Sequence, residues 1–208
     1  MNACRLAASN LACRKGDRLL FRRLDCAVEA GQALQITAPN GMGKSSLIRI
    51  LAGLARPFAG AVERNGAAGL LDERPALDEH RPLSNALGFW RNLDGEQDQA
   101  LQELGLKALM EVPVRYLSTG QRKRAAFARL MGQGAPIWLL DEPLNGLDTQ
   151  AVTVCEAMVE RHCNKGGIAI IASHQSMRIS GMTELKLADF AVTSSSAEDP
   201  ALSSESVI

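Results

Sequence analysis

A run of nine residues has the side-chain types and the spacing of a phosphate-binding loop. These residues are Ala38, Pro39, Asn40, Gly41, Met42, Gly43, Lys44, Ser45 and Ser46. They match the pattern G-x-x-x-x-G-K-[S/T], except that an alanine takes the first glycine position. Small residues allow successive backbone N–H groups to curl around a phosphate, and a helix N-terminus adds favourable partial charge. We therefore predict that this loop binds a nucleoside triphosphate.

Three residues of the loop have specific expectations attached to them. Lys44 should reach the β- and γ-phosphates, and the Ser45 hydroxyl should take one position around a magnesium ion. Ala38 departs from the pattern, and a residue with a Cβ would be strained there if the backbone needed a positive φ. Because the glycines nearest the phosphates are kept, we expect this alanine to be tolerated.

A second set of candidate residues follows the apolar run Ile137–Leu140, which predicts a buried parallel strand. Ligands collect at the carboxyl ends of such strands. Asp141 is suited to hold magnesium there, and Glu142 is suited to orient and deprotonate an attacking water. An acidic pair after a strand is more often a solvated turn. The apolar run and the upstream phosphate loop favour the catalytic interpretation here.

Three more polar positions are candidates: Ser118 lies before this strand, and Asp148 and His174 lie after it. Ser118 stands where a helix N-cap belongs, and a capped helix would point its positive end at a phosphate. Asp148 precedes a predicted helix, and His174 follows the strand Ile168–Ser173. Each position also has a plain structural interpretation: Ser118 and Asp148 could be caps alone, and a single histidine is more often structural.

Taken together, these five ordered motifs resemble those of the ATP-binding subunits of ABC transporters, over about residues 3–190. The resemblance implies ATP and Mg²⁺ as cofactors, with Ser45 and Asp141 on the metal. It implies catalytic roles for Lys44, Glu142 and His174, of which the histidine contacts the γ-phosphate and the attacking water. Besides the loop, it implies that the nucleotide is contacted by Ser118, Thr119, Gly120, Gln121 and Asp148.

The same resemblance implies how the protein assembles. Two copies would pair head to tail, with the segment 118–121 of each copy on the ATP held by the other, and an integral membrane subunit would be the transport partner. Residues 39–49, 117–124 and 173–175 are similar to the ATP-binding export subunits of cytochrome c maturation, the haem exporter. This implies a peripheral protein on the cytoplasmic face of the bacterial inner membrane. Its ATP hydrolysis would serve haem export or release of a haem-loaded chaperone.

The sequence departs from the ABC pattern at three places. Thr119 replaces the usual first glycine of the signature segment. The glutamine that couples nucleotide to partner should fall before Pro75, where Glu73 and Arg74 stand instead. The aromatic residue that stacks on adenine is also missing at residues 15–16, so adenine would pack on aliphatic stems or on Phe21. Ala38, Thr119 and the missing glutamine keep open a regulatory ABC-type ATPase without turnover. The ATPase subunit of another small exporter is a further alternative.

Non-transport ABC-type ATPases of chromosomes and ribosomes fit less well. Ser118 lies only 74 positions after Lys44, a spacing that cannot hold the long coiled coil of the chromosome type. The ribosome type carries two such domains in one chain. The chain has 23 basic and 23 acidic residues, and this balance also argues against a nucleic-acid partner.

Composition sets the remaining expectations. A chain of 208 residues corresponds to one α/β domain, and neither a signal peptide nor an apolar run long enough for a membrane span is visible. The five cysteines, residues 4, 13, 26, 155 and 163, lack C-x-x-C spacing. We therefore interpret them as reduced, mostly buried thiols of a cytosolic protein.

The elements that must position these residues follow from periodicity. Strands are predicted at Leu6–Ala12, Leu24–Val28, Ala33–Thr37, Ala61–Arg64, Ala68–Leu71, Ile137–Leu140 and Ile168–Ala172. Helical patterns run from Lys44 to near Gly53, from Leu83 to about Met110, and over Gly120–Met131 and Thr149–Cys163. We predict a P-loop ABC nucleotide-binding domain over residues 1–193, with a mainly parallel α/β core, an antiparallel β edge and a helical subdomain at about 76–132. Residues 194–208 are predicted to be a disordered tail.

Overall fold

The computed structural model describes residues 4–74, 76–88 and 96–192. Its first layer is an antiparallel sheet built from β1, Arg5–Lys15, β2, Arg18–Glu29, and β4, Ala59–Asn65. The strand order is β2-β1-β4. The first two strands join through a tight turn in which Gly16 has φ 59°, a conformation that glycine adopts without a steric penalty.

The second layer is a parallel sheet that carries the predicted site. It contains β3, Ala33–Thr37, β5, Ala68–Leu71, β6, Ile137–Asp141, β7, Ile168–Ala172, and β8, Thr183–Lys186. The order is β5-β6-β7-β3-β8, and every neighbouring pair is parallel. Every residue of β6 and β7 is buried, which explains why these strands are continuous apolar runs rather than alternating ones.

Five α-helices connect and cover the sheets in the described residues. They are α1, Lys44–Leu51, α2, Leu83–Gly88, α3, Glu96–Glu103, α4, Thr119–Gly132, and α5, Thr149–Asn164. Short 3₁₀ turns occupy Lys107–Leu109, Val114–Tyr116 and Leu187–Phe190. One hydrophobic core joins the antiparallel sheet and α1 to one face of the parallel sheet, and a second joins α2–α5 to the other face. The parallel α/β core and the antiparallel β layer confirm the predicted fold class.

Two details of the predicted sheet differ from the structure. The strands predicted at Ala61–Arg64 and Ala68–Leu71, on either side of Asn65-Gly66, are close enough in sequence to form a hairpin, but β4 pairs with β1 and β5 pairs with β6. The Asn65-Gly66 turn therefore connects the two sheets, and β5 forms an edge of the parallel sheet. Strand β8 was missed, since Leu185 is its one buried residue and a short polar edge strand gives little periodic signal.

The long helical pattern from Leu83 to Met110 is interrupted. Its described part includes α2 over Leu83–Gly88 and α3 over Glu96–Glu103, and after α3 Gly105 takes φ 63° and breaks the helical path. Trp90 and Leu93, on which the predicted periodicity depended, lie outside the described residues. The predicted tail of residues 194–208 lies outside them as well.

All five cysteines are free, and three of them are buried, as expected. Burial raises the pKa of Cys26 to about 11 and that of Cys155 to about 12. Thiols with raised pKa values carry little thiolate at neutral pH and react slowly. The structure therefore gives these residues a packing role.

Gly60 tests the packing between β1 and β4. It has φ 86°, and a Cβ there would collide with the backbone carbonyl oxygens of Ser9 and Asn10. We expect Gly60→Ala to lower the free energy of unfolding by about 3 kcal/mol, through left-handed strain and the backbone clash together. Gly134 is the matched control, because it has φ 60° with no atom within 4 Å of an added Cβ. Urea unfolding should show that Gly134→Ala lowers the free energy of unfolding by about 1 kcal/mol. Equal losses of stability in the two variants would contradict the proposed backbone clash at Gly60.

Candidate active site

Three of the five predicted motifs meet at the carboxyl edge of the parallel sheet, around a cavity of about 350 Å³. This cavity, called the nucleotide cavity below, is lined by Lys15, Leu20, Asn40, Gly41, Gly43, Lys44, Ser45, Ser46, Glu73, Glu142, Asn145 and His174. The phosphate loop, the acidic pair after β6 and the histidine after β7 converge because the strands before them are parallel neighbours. The strands therefore end at the same edge.

The phosphate loop bends through its glycines. Gly41 has φ 80° and Gly43 has φ 104°, so both adopt left-handed conformations that favour glycine. A Cβ on Gly43 would also lie 3.1 Å from Leu20 Cδ1. Ala38 is not among the non-glycine residues with positive φ, which are Asn10, Arg23 and Glu142 in the described part of the chain. Ala38 therefore carries no left-handed backbone strain, and its tolerance in phosphate binding stays a prediction.

Lys44 is held across the mouth of the loop. Its side chain is nearly buried, and Nζ donates to the Ala38 carbonyl at 2.8 Å and to Asn40 Oδ1 at 3.5 Å. Nζ also lies 3.5 Å from Glu142 Oε1. These contacts restrain the ammonium at the mouth of the loop, so binding of a phosphate there would need little further ordering of the side chain.

Glu142 is held by contacts to both its backbone and its carboxylate. Its N–H donates to the Ala172 carbonyl at 2.8 Å, which extends the pairing of β6 with β7 by one residue. Carboxylate oxygen Oε2 accepts from the Ser173 hydroxyl at 3.2 Å and from the His174 N–H at 3.4 Å. It also lies 2.9 Å from His174 Nδ1. The carboxylate is thereby directed into the nucleotide cavity, as a general base for water would need to be.

Asp141 has the properties of a cation ligand. It is 6% exposed, and its Oδ1 has no hydrogen-bond partner. Burial raises the pKa of Asp141, a hydrogen bond from the Ser45 side chain opposes that shift, and the nearby carboxylates of Glu142, Glu73 and Asp72 reinforce it. A buried carboxylate oxygen without a partner is costly and is relieved by a bound cation. The Ser45 and Asp141 pair therefore fits a magnesium ion.

The described residues contain no group of three or more acidic, histidine or cysteine side chains placed to hold a metal by themselves. Magnesium commonly takes one or two protein ligands and completes its shell with substrate phosphates and water. Ser45 and Asp141 would be two such protein ligands.

The signature segment caps α4. Ser118 Oγ accepts from the Gln121 N–H at 3.2 Å, and Gln121 Oε1 accepts from the Ser118 N–H at 2.8 Å, which forms a capping box. Gly120 packs so closely that an added Cβ would lie 2.6 Å from the Gly146 carbonyl oxygen. Residues 118–121 do not line the nucleotide cavity of their own chain as described above. Ser118 and Thr119, at the start of this helix, are exposed.

Asp148 and His162 have local structural contacts. Asp148 Oδ1 accepts from the Ala151 N–H at 2.8 Å and caps α5. His162 stacks on Trp138 with ring centroids 3.9 Å apart. Burial lowers the pKa of His162, although its hydrogen bonds to backbone carbonyls oppose the shift. The cap that the sequence allowed for Asp148 is present, and its contact with nucleotide stays a prediction.

The structure corrects one expectation and adds residues that sequence reasoning missed. Phe21 is fully buried, so it cannot stack on adenine, whereas the nucleotide cavity is lined by Lys15 and Leu20. Glu73 reaches the nucleotide cavity, but Arg74 lines neighbouring cavities. Asn145 was not singled out because a polar residue in a turn carries no distinctive signal. Pro75 lies outside the described residues.

The fold and the site define the ATP-binding subunit of an ABC transporter. A sequence profile described as ABC transporter matches residues 21–145, which is more than half of the chain. An ABC transporter ATP-binding protein from Pyrococcus furiosus superposes with a TM-score of 0.79 at 20% identity, over 90% of this chain and 100% of that one. The chain is therefore an ATP-hydrolysing subunit that works with a membrane subunit of a transporter.

Relatives narrow the family. A protein of Novosphingobium aromaticivorans named cytochrome c biogenesis ATP-binding export protein CcmA is 54% identical over 91% of this chain and 99% of its own length. The protein of that name in Zymomonas mobilis is 47% identical over 91% of this chain and 87% of its own length. The chain belongs to the family of cytochrome c biogenesis ATP-binding export proteins, within the ABC transporter ATPases. In the described residues, none of the helices has both the length and the apolar character that crossing a bilayer requires.

Asp141→Asn tests the proposed metal ligand. Because burial raises the folded-state pKa of Asp141 above its ordinary value, the folded chain binds this proton more tightly than the unfolded chain does. The resulting stabilisation is present at pH below the ordinary value and is lost as the pH rises through the folded pKa. At pH 7 we therefore expect nucleotide-free Asp141→Asn to be at least as stable as the parent.

Stabilisation by Mg·ATP should distinguish Asp141→Asn from the parent. At a hundred times its Kd the ligand should stabilise the parent by about 2.7 kcal/mol, whereas Asp141→Asn should gain less than about 1 kcal/mol because its affinity falls. Thermal unfolding with ATP, with and without Mg²⁺, measures both effects. Asp189→Asn, a change at an exposed position, is the control and should behave as the parent. A full Mg²⁺-dependent gain in Asp141→Asn would refute the ligand assignment.

Proposed function

We propose that this chain drives the export step of cytochrome c biogenesis by hydrolysing Mg·ATP in a head-to-tail pair of identical subunits. The observation that carries the hydrolytic part is the position of the Glu142 carboxylate, with Oε1 3.5 Å from Lys44 Nζ and Oε2 2.9 Å from His174 Nδ1. A phosphate-binding cation, a base and a polar partner thus surround one cavity. This arrangement suits attack of water on a phosphate.

Hydrolysis follows from the positions of these side chains. The loop N–H groups and Lys44 bind the β- and γ-phosphates, while Ser45 and Asp141 would hold magnesium. When bound, the ion neutralises charge on the phosphate oxygens. Glu142 orients a water and accepts its proton as the water oxygen bonds to the γ-phosphorus. The bond from that phosphorus to the bridging oxygen breaks, and ADP and phosphate leave.

His174 would act beside Glu142 rather than in its place. With Nδ1 engaged by the Glu142 carboxylate, the opposite ring nitrogen, Nε2, is the one that can meet the γ-phosphate or the water. The Ser173 hydroxyl also donates to Glu142. Two neighbouring residues at the end of β7 therefore restrain the base, and positioning of this kind accounts for much of the catalysis in phosphoryl transfer.

The head-to-tail pair is supported by the placement of the signature segment. Ser118 caps the N-terminus of α4 but does not line the nucleotide cavity of its own chain, as described above. A capped helix end attracts anions through its free N–H groups and its dipole. We infer that this helix end meets the ATP bound by a second copy, which would close two nucleotides between two chains.

The transport role is supported by the family. ATP-driven closure of the pair would move an integral membrane subunit, and the chain would lie peripherally on the cytoplasmic face of the bacterial inner membrane. By analogy with the family, the work would serve haem export or release of a haem-loaded chaperone. The membrane subunit would select the cargo, because the ATPase site recognises nucleotide alone.

Glu142→Gln tests the assigned base. The amide keeps the size of the side chain but cannot accept the proton, so we expect ATP binding to persist and turnover to fall at least about a hundredfold. Phosphate release and equilibrium nucleotide binding measure the two quantities. Glu111→Gln, the same change at an exposed position, should retain parental turnover. Near-normal hydrolysis in Glu142→Gln would show that another group is the base.

Thr119→Glu tests the head-to-tail arrangement. Thr119 is exposed at the first residue of α4, where an acidic residue favours the helix but would repel the phosphates of a facing nucleotide. With Mg·ATP, Glu142→Gln should form a species of twice the 22.3 kDa chain mass. We expect the added Thr119→Glu change to abolish that species while ATP still binds. Light scattering that shows dimers in both proteins would argue against this interface.

A further inference from the structure

Lys123 is a buried cation that none of the proposed steps uses. It lies in α4, five residues after the Ser118 cap, and is 8% exposed. Its Nζ donates to the backbone carbonyl of Glu142 at 3.2 Å. Lysine is almost never buried without a partner. The Glu142 carbonyl is the hydrogen-bond partner that the structure provides.

The Glu142 backbone has an unusual conformation that needs support. Its φ is 46°, in the left-handed region that is disfavoured for residues with a Cβ. Such conformations persist where surrounding contacts determine them. Here the Glu142 N–H donates to the Ala172 carbonyl at 2.8 Å, and the Glu142 carbonyl accepts from Lys123 and, at 3.4 Å, from the Asn145 N–H. Lys123 is the charged member of this set.

The surroundings keep the Lys123 ammonium in place. Burial lowers the pKa of Lys123, but four carboxylates oppose that shift by attracting the charge. In order of their effect, they belong to Glu73, Asp141, Asp72 and Glu142. Lys123 therefore provides positive charge within the acidic group beside the nucleotide cavity, and it is tied to one backbone atom of that group.

We propose that Lys123 is a positioning residue for ATP hydrolysis, holding the Glu142 backbone so that its carboxylate faces the nucleotide cavity. This inference rests on the proposed role of Glu142 as the base. The backbone angles at Glu142 set the direction of its side chain, so releasing the carbonyl would allow the carboxylate to leave its place beside Lys44 and His174. Small displacements of a base are costly to catalysis.

The position of Lys123 on α4 gives the contact a second consequence. The first turn of the helix carries the segment proposed to meet the nucleotide of the second copy, and Lys123 follows that segment by two residues. A shift of the helix on closure of the pair would reach the Glu142 backbone through a single hydrogen bond. Lys123 thus links the nucleotide bound by the second copy to Glu142 of its own copy, the base that acts on the nucleotide of that own copy.

Two variants separate the hydrogen bond from the charge. Lys123→Met keeps the length of the side chain but loses both features, whereas Lys123→Gln keeps an N–H donor for the Glu142 carbonyl. We expect Lys123→Met to lower kcat about ten- to a hundredfold, the range for loss of a charged hydrogen bond. ATP affinity should change less than about threefold, because the phosphate contacts are made elsewhere. Lys123→Gln should recover part of the lost kcat.

Arg124→Met is the matched control. Arg124 follows Lys123 on the same helix and also donates to a backbone carbonyl, that of Leu104, at 2.8 Å. Leu104 directly follows α3, and it does not line the nucleotide cavity. We expect Arg124→Met to lose thermal stability to a similar extent while its kcat stays within about twofold of the parent. A purely structural role for Lys123 would make the two methionine variants behave alike.

A double-mutant cycle provides the decisive measurement. In the Glu142→Gln background the base is already gone, so adding Lys123→Met should lower the residual rate by less than about threefold, and the two effects should not multiply. Equal factors in both backgrounds, or loss of ATP affinity without loss of kcat, would overturn the proposal. If the parent chain itself does not hydrolyse ATP, the proposed function fails first, which distinguishes the two failures.

Discussion

The Glu142 carboxylate at the end of β6 is the group on which the rest of the site depends. It lies 3.5 Å from Lys44 Nζ and 2.9 Å from His174 Nδ1, and the Ser173 hydroxyl donates to it at 3.2 Å. A nearly buried charge is tolerable only when paired and hydrogen-bonded. These contacts therefore join the phosphate loop to the end of β7. A nucleotide that recruits Lys44 to its phosphates would leave the Glu142 carboxylate bound by Ser173 and His174, facing the reacting atoms.

The fold makes this arrangement possible through parallel strands. Strands β3, β7 and β6 are neighbours, so the phosphate loop after β3, the histidine after β7 and the acidic pair after β6 emerge at one edge. The apolar side chains of these strands are buried in the core, and the polar residues are concentrated at the strand ends. The helix α4 approaches the same edge and contributes Lys123 to the Glu142 backbone. Rigid elements thus hold each reacting group.

Sequence reasoning was most successful where one physical signal dominates. The bounds of Ala33–Thr37, Ala68–Leu71 and Ile168–Ala172 match the structure, because each run has the length of a strand and follows closely on a glycine. Contacts that depend on tertiary packing could not be found in this way. Lys123 lies in a basic run that is typical of a solvated face, and its burial arises from the way α4 packs against the loop after β6. Phe21 was ambiguous for the same reason, since periodicity does not distinguish a core aromatic from one that faces a ligand.

The central claim is that the Glu142 carboxylate stays in place when nucleotide binds and faces the γ-phosphate. A crystal structure of the full chain with Mg²⁺ and a non-hydrolysable ATP analogue tests it most directly. The account predicts Lys44 Nζ at about 3 Å from phosphate oxygens, with the Glu142 carboxylate still bound by His174 and one water between that carboxylate and the γ-phosphate. A nucleotide bound away from the phosphate loop, or a Glu142 side chain turned out of the cavity, would contradict the account.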